Sequence, residues 1–403
     1  MSEWKLKDCC LSISDGDHLP PPKSDCGIPF ITISNIDSTN HIDFSNTLFV
    51  PTEYYDNLDS IRKAQPDDII YSVVGSFGKP VLIKENKKFV FQRHIAILRP
   101  NNEIVDSRYL YYIMLSRNFY MQADSVAVGA AQRTISLTSL RNMKVNLPEL
   151  SIQHRIATIL SRYDSLIENY QKQIKLLEES AQRLYKEWFV DLRFPGHENT
   201  KIVDGVPEGW EKKKAQDLFK MSIGKTPPRA EKQWFVNGKK GIPWVSISDM
   251  KDTFFVMETS EGLTKDACEK FNVKIVEKGT ILLSFKLTVG RVVITSEKVC
   301  TNEAIAHFNR DGNEWREYTM LYLRNYNYDS LGNTSGISKA VNSTIIKNML
   351  FLMPKEDILN NFHSKTNNIF NSIANLQSQI RHLTEARDRL LPKLMSGEIN
   401  VNR

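Results

Sequence analysis

The chain has 403 residues, 41% of them hydrophobic and 25% charged, with a formal net charge of +6. That length exceeds one ordinary core and asks for two or three domains, and the composition excludes a disordered chain. No apolar run approaches the roughly 20 residues of a membrane span, and MSEWKLKDCC carries no signal-peptide hydrophobic region.

Residues 1–148 read as a mixed α/β domain. Strand-like runs are IPFITIS (28–34), DIIYSVV (68–74), PVLIK (80–84) and HIAILRP (94–100). One helical piece, RYLYYIMLSRNFYMQAD (108–124), follows, and then VGAAQRTISLTSLRNMKVNLP (128–148) reads as a small-residue loop leading into a last strand. Five scattered cysteines (Cys9, Cys10, Cys26, Cys268, Cys300) lack CxxC spacing. Free thiols in a reducing cytosol are therefore expected, not disulfides or a zinc site.

Residues 149–194 predict a long helix. Ile156, Leu160, Tyr163, Ile167, Tyr170, Ile174, Leu177, Ala181, Leu184 and Trp188 recur at steps of four and three, the apolar seam of a coiled coil. After a Pro/Gly/Asn linker (195–209), residues 210–354 repeat the first domain. GIPWVSIS (241–248) parallels GIPFITIS (27–34), GTILLSFKLTVGRVVIT (279–295) parallels DIIYSVVGSFGKPVLIK with Gly290 opposite Gly78, and EAIAHF parallels RHIAIL. A second long helix over 355–403 carries the same seam 206 residues on: Phe362, Thr366, Ile369, Ile373, Leu376, Ile380, Leu383, Arg387, Leu390 and Leu394. Thr366 and Arg387 interrupt it. Two stripes in one register are each other's natural partners. The expectation is an α+β protein of two duplicated domains separated by an antiparallel coiled coil, pseudo-two-fold symmetric, with helices of about 40 residues spanning roughly 60 Å.

Catalytic signatures are missing. Gly224-Lys225-Thr226 looks like a P-loop tail, but Phe219 stands where its first glycine belongs and Pro227-Pro228 stop any helix. No GxGxxG, no HxxxH or HExxH pairing and no Gly-x-Ser-x-Gly elbow is present. Charge is more informative. Residues 211–240 hold nine Lys/Arg against three Asp/Glu, and 79–99 hold six against one, in loops also rich in Gly, Pro and aromatics, as polyanion contact requires.

The chain resembles the DNA-specificity subunit of type I restriction–modification systems over essentially its whole length. The signals are LYKEWFVDLRFP (184–195), VPEGW (206–210), the GKTPPR and GIPWVSISDM stretches, and LLPKLMSGEINV (390–401). The first domain lacks a clear Gly-Lys-Thr-Pro loop, showing Gly16-Asp17-His18 instead. The resemblance implies two target-recognition domains, each reading half of a split duplex target, and two helices acting as spacer and platform. It implies a cytoplasmic, nucleoid-associated prokaryotic protein with no catalytic centre and no bound cofactor. Two methyltransferase subunits using S-adenosylmethionine and restriction subunits using ATP and Mg2+ would do the chemistry, with no membrane partner.

Lys/Arg would neutralise phosphates while Gln, Asn and Arg read base edges. The candidates are Lys23, Lys79, Gln92, Arg93, Gln132 and Arg133 in the first domain, and Lys225, Thr226, Arg229, Lys286, Arg291, Asn302 and Lys339 in the second. A coiled-coil scaffold binding protein, or the recognition arm of a larger nuclease or methylase, are the alternative readings.

Overall fold

The computed structural model describes residues 2–16, 21–37, 39–130, 132–331 and 341–401. It forms two compact units, Met1–Leu166 with Leu383–Arg403, and Ile167–His382.

In the first unit four antiparallel strands lie in the order Cys10–Asp15, Ile95–Pro100, Ile69–Ser72, Pro80–Leu82. Every residue of Ile69–Ser72 is buried, because both faces of the sheet are covered. Side chains alternate between faces along a strand. Accordingly Ile69 and Tyr71 join a core with the helices, while Ile70 joins a second core with Ile31, Phe89 and Phe91. A three-stranded sheet supplies that second layer, with Ile28–Ile31 antiparallel to Leu48–Val50 and parallel to Val90–Phe91. The N-terminal strand Ser2–Lys5 pairs with Lys144–Leu147 and closes the domain.

The helical run at 108–124 is two helices, not one. Asp106 caps Ser107–Leu115, and Ser116 caps Arg117–Val126 by accepting from the Phe119 amide at 3.3 Å. A serine in extended conformation offers its hydroxyl to the next helix instead of continuing the last. Likewise 128–148 is more than a loop, since Ser136 caps a short helix, Leu137–Asn142.

The second unit repeats this frame. Ile281 and Leu283 face the helices while Leu282 faces Val245 and Val256. Its main sheet gains a fifth strand, Phe255–Val256, and its smaller sheet gains a fourth, Phe235–Asn237, antiparallel to Glu261–Leu263. The closing pair recurs as Glu211–Lys214 with Leu350–Met353. All five cysteines are free, and no described helix is long and apolar enough to cross a membrane.

A proximal helix, Leu150–Tyr185, and a distal helix, Glu356–Ser396, contribute to both units. Within the first, Ile156 and Leu160 share a core with Leu390 and Leu394. Within the second, Ile174, Ala181 and Trp188 share one with Phe362, Phe370 and Ile373. The start of each helix thus meets the end of the other, the antiparallel pairing that the matched stripes predict. Ile167 is buried, and Tyr163, Tyr170, Leu177, Leu184, Ile369, Leu376, Ile380 and Leu383 are half-buried.

The two polar seam residues do not break the pairing. Thr366 is fully buried with its hydroxyl donating to the Phe362 carbonyl at 2.8 Å, so no polar atom is orphaned. Arg387 donates to Asp164 at 2.6 Å, and the Tyr112 hydroxyl donates to the same carboxylate at 2.5 Å, tying helix pair to domain. Matching ties hold each domain to its own helix: His154 Nδ1 lies 2.6 Å from Asp106, and His363 Nδ1 lies 2.6 Å from the fully buried Glu317.

Phe362 is fully buried, with Trp188 at 5.7 Å and Phe189 at 4.8 Å between ring centroids. Phe362→Ala should destabilise the second unit by about 3–5 kcal/mol through lost burial and a cavity. Leu176→Ala, on a residue 66% exposed, should change stability by less than about 0.5 kcal/mol. Chemical unfolding of both variants checks this, and equal effects would contradict the packing described.

Candidate nucleic-acid interface

The same loops converge in both units because the same backbone bonds hold them. Gly16 and Gly224 donate to the carbonyls of Ile95 and Ile305 at 3.3 and 3.2 Å. The Gln92 and Asn302 amides donate to Ile31 and Val245 at 3.1 Å each. Those bonds bring each glycine against the turn between two strands. The approach is too close for any side chain. A Cβ on Gly16 would sit 2.1 Å from the Phe91 carbonyl oxygen, and one on Gly224 would sit 2.0 Å from Thr301 Oγ1. Gly16 therefore occupies the place of Gly224, and the first domain does have the glycine of this loop, without its Lys-Thr-Pro continuation.

In the second unit the loop is stitched down further. Lys225 donates its amide to Thr301 at 2.9 Å, its carbonyl lies 3.4 Å from Trp244 Nε1, and the Thr226 hydroxyl donates to the Glu303 carboxylate. It is not a phosphate-cradling P-loop, because no helix follows Thr226. Burial pushes the Glu303 carboxyl up, but the Thr226 hydrogen bond and the nearby Lys286 and Arg229 cations outweigh it and hold the group below its ordinary value. Lys225, Thr226, Arg229, Lys286 and Asn302 thus form one cluster around Glu303. Arg229 is partly spent within it, pairing with Glu261 at 2.7 Å and lying 4.4 and 4.5 Å over the Phe235 and Trp244 rings. Asn302 uses its Oδ1 to accept from the Ala304 amide.

Lys79 and Arg291 occupy equivalent places and turn inward. Each amide donates to a serine hydroxyl, Ser72 at 2.9 Å and Ser284 at 3.0 Å. The Lys79 ammonium donates to the Ile36 carbonyl at 3.4 Å, and the Arg291 guanidinium donates to Ile247 at 2.9 Å. These two cations brace a 3-10 turn, a structural task that the sequence reading did not give them. Arg133 is similarly engaged by the Asp124 carboxylate, and it lies 5.4 Å from the Phe77 ring. Gln92 bonds His94 at 2.9 Å, while Lys23, Arg93 and Gln132 are exposed. Lys339 lies outside the described residues.

One residue that sequence reasoning passed over stands out by its cost. Leu287 has φ +60° and is 98% exposed. Its counterpart in the first domain is Gly75, at φ +66°. A leucine in the left-handed region costs of order 1 kcal/mol. The other leucine with positive φ, Leu192 at +55°, packs its side chain on the second unit's core. Leu287 has no such return.

Two copies of one mixed α/β unit, each docked on a long helix and each holding equivalent loops by the same backbone bonds, with a basic cluster in the second, define a duplicated reading-domain protein with a coiled-coil frame. Among the described residues no group of His, Cys, Asp and Glu is placed to hold a metal. The chain belongs to the family described as Type I restriction modification DNA specificity domain, which matches twice, over residues 4–179 and 207–375. It is 29% identical over 314 residues to the type I restriction enzyme MjaIX specificity subunit of Methanocaldococcus jannaschii, covering 75% of this chain and 71% of that protein. It is 25% identical to the HindI specificity subunit of Haemophilus influenzae over 99% of this chain and 100% of that one. In fold it is similar to the crystal structure of a type I S subunit from M. genitalium, with a TM-score of 0.58 at 15% identity, covering 98% and 95% of the two chains.

His307 lies under the second cluster, its ring nitrogens 2.8 Å from the Ser222 and Thr301 hydroxyls. Burial, helped by Lys274, lowers its pKa from 6.5 to about 4. The unfolded chain therefore binds a proton that the folded state refuses, and stability falls as pH drops from about 6.5 to about 4. Between pH 7 and 5 the loss is about 2 kcal/mol. Glu178, raised to about 7 by burial, titrates in the same range with the opposite sign. The reading is therefore the difference between wild type and His307→Gln. Tryptophan fluorescence suits it, since Trp188, Trp210, Trp234, Trp244 and Trp315 all lie in this unit. Identical pH dependence in the two proteins would refute the assignment.

Proposed function

We propose that this chain is the non-catalytic specificity subunit of a type I restriction–modification complex, reading a bipartite duplex DNA target with one domain per half-site. The observation that carries this reading is the repetition of one loop cluster, held by the same backbone hydrogen bonds, in both units of a chain that belongs to the specificity family. In this reading exposed Lys23, Lys225 and Lys286 neutralise phosphates, while Arg93, Gln92, Gln132, Thr226, Arg229 and Asn302 face base edges. Lys79, Arg291 and Arg133 set the loops that carry them, and Lys339 is a further candidate.

The partners follow from the same reading. Two methyltransferase subunits carrying S-adenosylmethionine and restriction subunits requiring ATP and Mg2+ assemble on the helix pair, and this chain binds none of those cofactors itself. The assembly is cytoplasmic and associated with the nucleoid. The domains run over 1–148 and 210–354, joined through the helices of 149–194 and 355–403 and the linker of 195–209. Since both helices pass uninterrupted from one compact unit into the other, their length sets the separation of the half-sites, which favour one face of the duplex when about one helical turn apart.

Two experiments test this. Once methylation mapping in the host has given the target, affinities are compared for duplexes altered in either half. Arg93→Ala and Gln132→Ala should relax one half-site only, and Arg229→Ala and Asn302→Ala should relax the other only, with about 1–3 kcal/mol per lost base contact. Phosphate contacts should instead lower affinity for every sequence and flatten its salt dependence. A first-domain substitution that changed preference in both halves equally would overturn the two-reader arrangement.

The second test lengthens the frame. Seven residues inserted after Leu166 and seven after His382, where the compact units part, preserve the seam and add about 10 Å to the pair. The preferred spacer should then lengthen while both half-sites keep their bases. An unchanged spacer would show that the helices do not set it.

A further inference from the structure

We propose that Leu287 is a wedge, which the second domain inserts between stacked base pairs of its half-site. The inference rests on the DNA reading above and assigns a role that the family does not by itself give to this residue.

The argument begins with what Leu287 does not do. Its side chain is 98% exposed, so it contributes nothing to any core. Its backbone adopts φ +60°, a conformation in which the Cβ of an L-residue crowds the neighbouring carbonyl. Gly75 makes the same turn at φ +66° without that penalty. Folding alone would favour glycine at both places, so the leucine runs against the preference of the chain. Strain of that kind concentrates where a ligand is met.

The tip is nevertheless held firmly. The Ser284 hydroxyl donates to the Thr288 carbonyl at 2.5 Å, and Ser284 accepts from the Gly290 and Arg291 amides at 2.9 and 3.0 Å. The Arg291 guanidinium anchors the far side of the turn on the Ile247 carbonyl. A pinned turn carrying one uncovered branched apolar side chain is a rigid probe, not a floppy loop.

Charge identifies what it probes. Lys286 precedes it and is exposed, and Lys286 and Arg229 are close enough to Glu303 to lower its carboxyl pKa. A cation next to an apolar point, with a second on the same carboxylate, suits a surface with phosphates outside and apolar faces inside, which is a base step in duplex DNA. Apolar side chains entering such a step unstack and kink it. Only the second domain carries the side chain, so only one half of the target should be distorted.

The test uses the full-length chain, alone and co-expressed with its methyltransferase subunits, on duplexes carrying the mapped target. 2-Aminopurine is placed in turn at positions across each half-site, leaving out the methylated adenine and its neighbours, which the methyltransferase subunits unstack by themselves. Wild type should raise its fluorescence several-fold at one step in the half-site read by the second domain, and nowhere in the other. Leu287→Gly should lose that signal and weaken binding by about tenfold, while its unfolding midpoint stays equal or rises because strain is relieved. Leu287→Met should keep both signal and affinity.

Unchanged affinity and fluorescence in Leu287→Gly would overturn the wedge. So would a wild type that gives no fluorescence change but loses affinity when thymine is replaced by uracil, which would make Leu287 a methyl contact. Failure of wild type to bind any duplex would overturn the DNA reading and the wedge together.

Discussion

The apolar stripe of a long helix must be covered along its whole length, and no single domain of this chain is long enough to do it. Each stripe is covered instead by the other helix and, where a domain reaches it, by that domain. Phe370 shows the second kind of cover, its ring 4.8 Å from Phe254 on the globular part of the second unit. Because the covering is antiparallel, the first half of the proximal helix shares a core with the last part of the distal one. The first unit is therefore discontinuous in sequence, and it closes only when residues more than two hundred positions apart have met. The ion pair of Asp164 and Arg387 is of this kind, and it makes a charged residue compatible with an apolar seam. Breaking one partner of such a pair costs more than the pair contributes.

A second constraint acts on the loops. Where Gly16 and Gly224 pass a neighbouring strand, backbone meets backbone with no room for a methyl group. That approach fixes the mouth of each cluster to the edge of its smaller sheet, where the parallel strands Val90–Phe91 and Cys300–Thr301 end. Loops are free to differ beyond the glycine while starting from the same point. The second domain continues as Lys225-Thr226 and is bound to Glu303 and Trp244, whereas the first continues with unrelated residues. Under the proposed function, a common frame with private continuations is what lets two domains read different half-sites.

The cations divide accordingly. Lys79 and Arg291 point at carbonyls of a 3-10 turn, and Arg133 is held by Asp124. Lys225 and Lys286 remain at the surface. A basic residue in a Gly-rich loop is thus as readily a brace as a contact, and composition does not distinguish them. Hydrogen-bond geometry does, because a guanidinium satisfied by its own domain has fewer donors left for a ligand.

Periodicity made the two long helices, their shared register and the duplication legible, since a 4-3 stripe and a repeat at constant offset are properties of the residue string. The main strands were legible for a related reason. Runs such as Ile69–Ser72 are apolar throughout because both faces of the sheet are buried. Capping decided what periodicity could not, splitting the helical run at Ser116 and raising a short helix after Ser136. Thr366 and Arg387 looked like faults in the seam because their partners, a carbonyl one turn back and a carboxylate on the other helix, exist only once the helices have formed and paired. The gathering of Lys286, Arg229 and Thr226 around Glu303, and the exposure of Leu287, likewise depend on strands brought together from distant parts of the chain. Sequence alone marked these residues as basic, polar or apolar. Tertiary structure alone decided which of them faces a neighbour and which faces solvent, because that depends on what the rest of the fold has already covered.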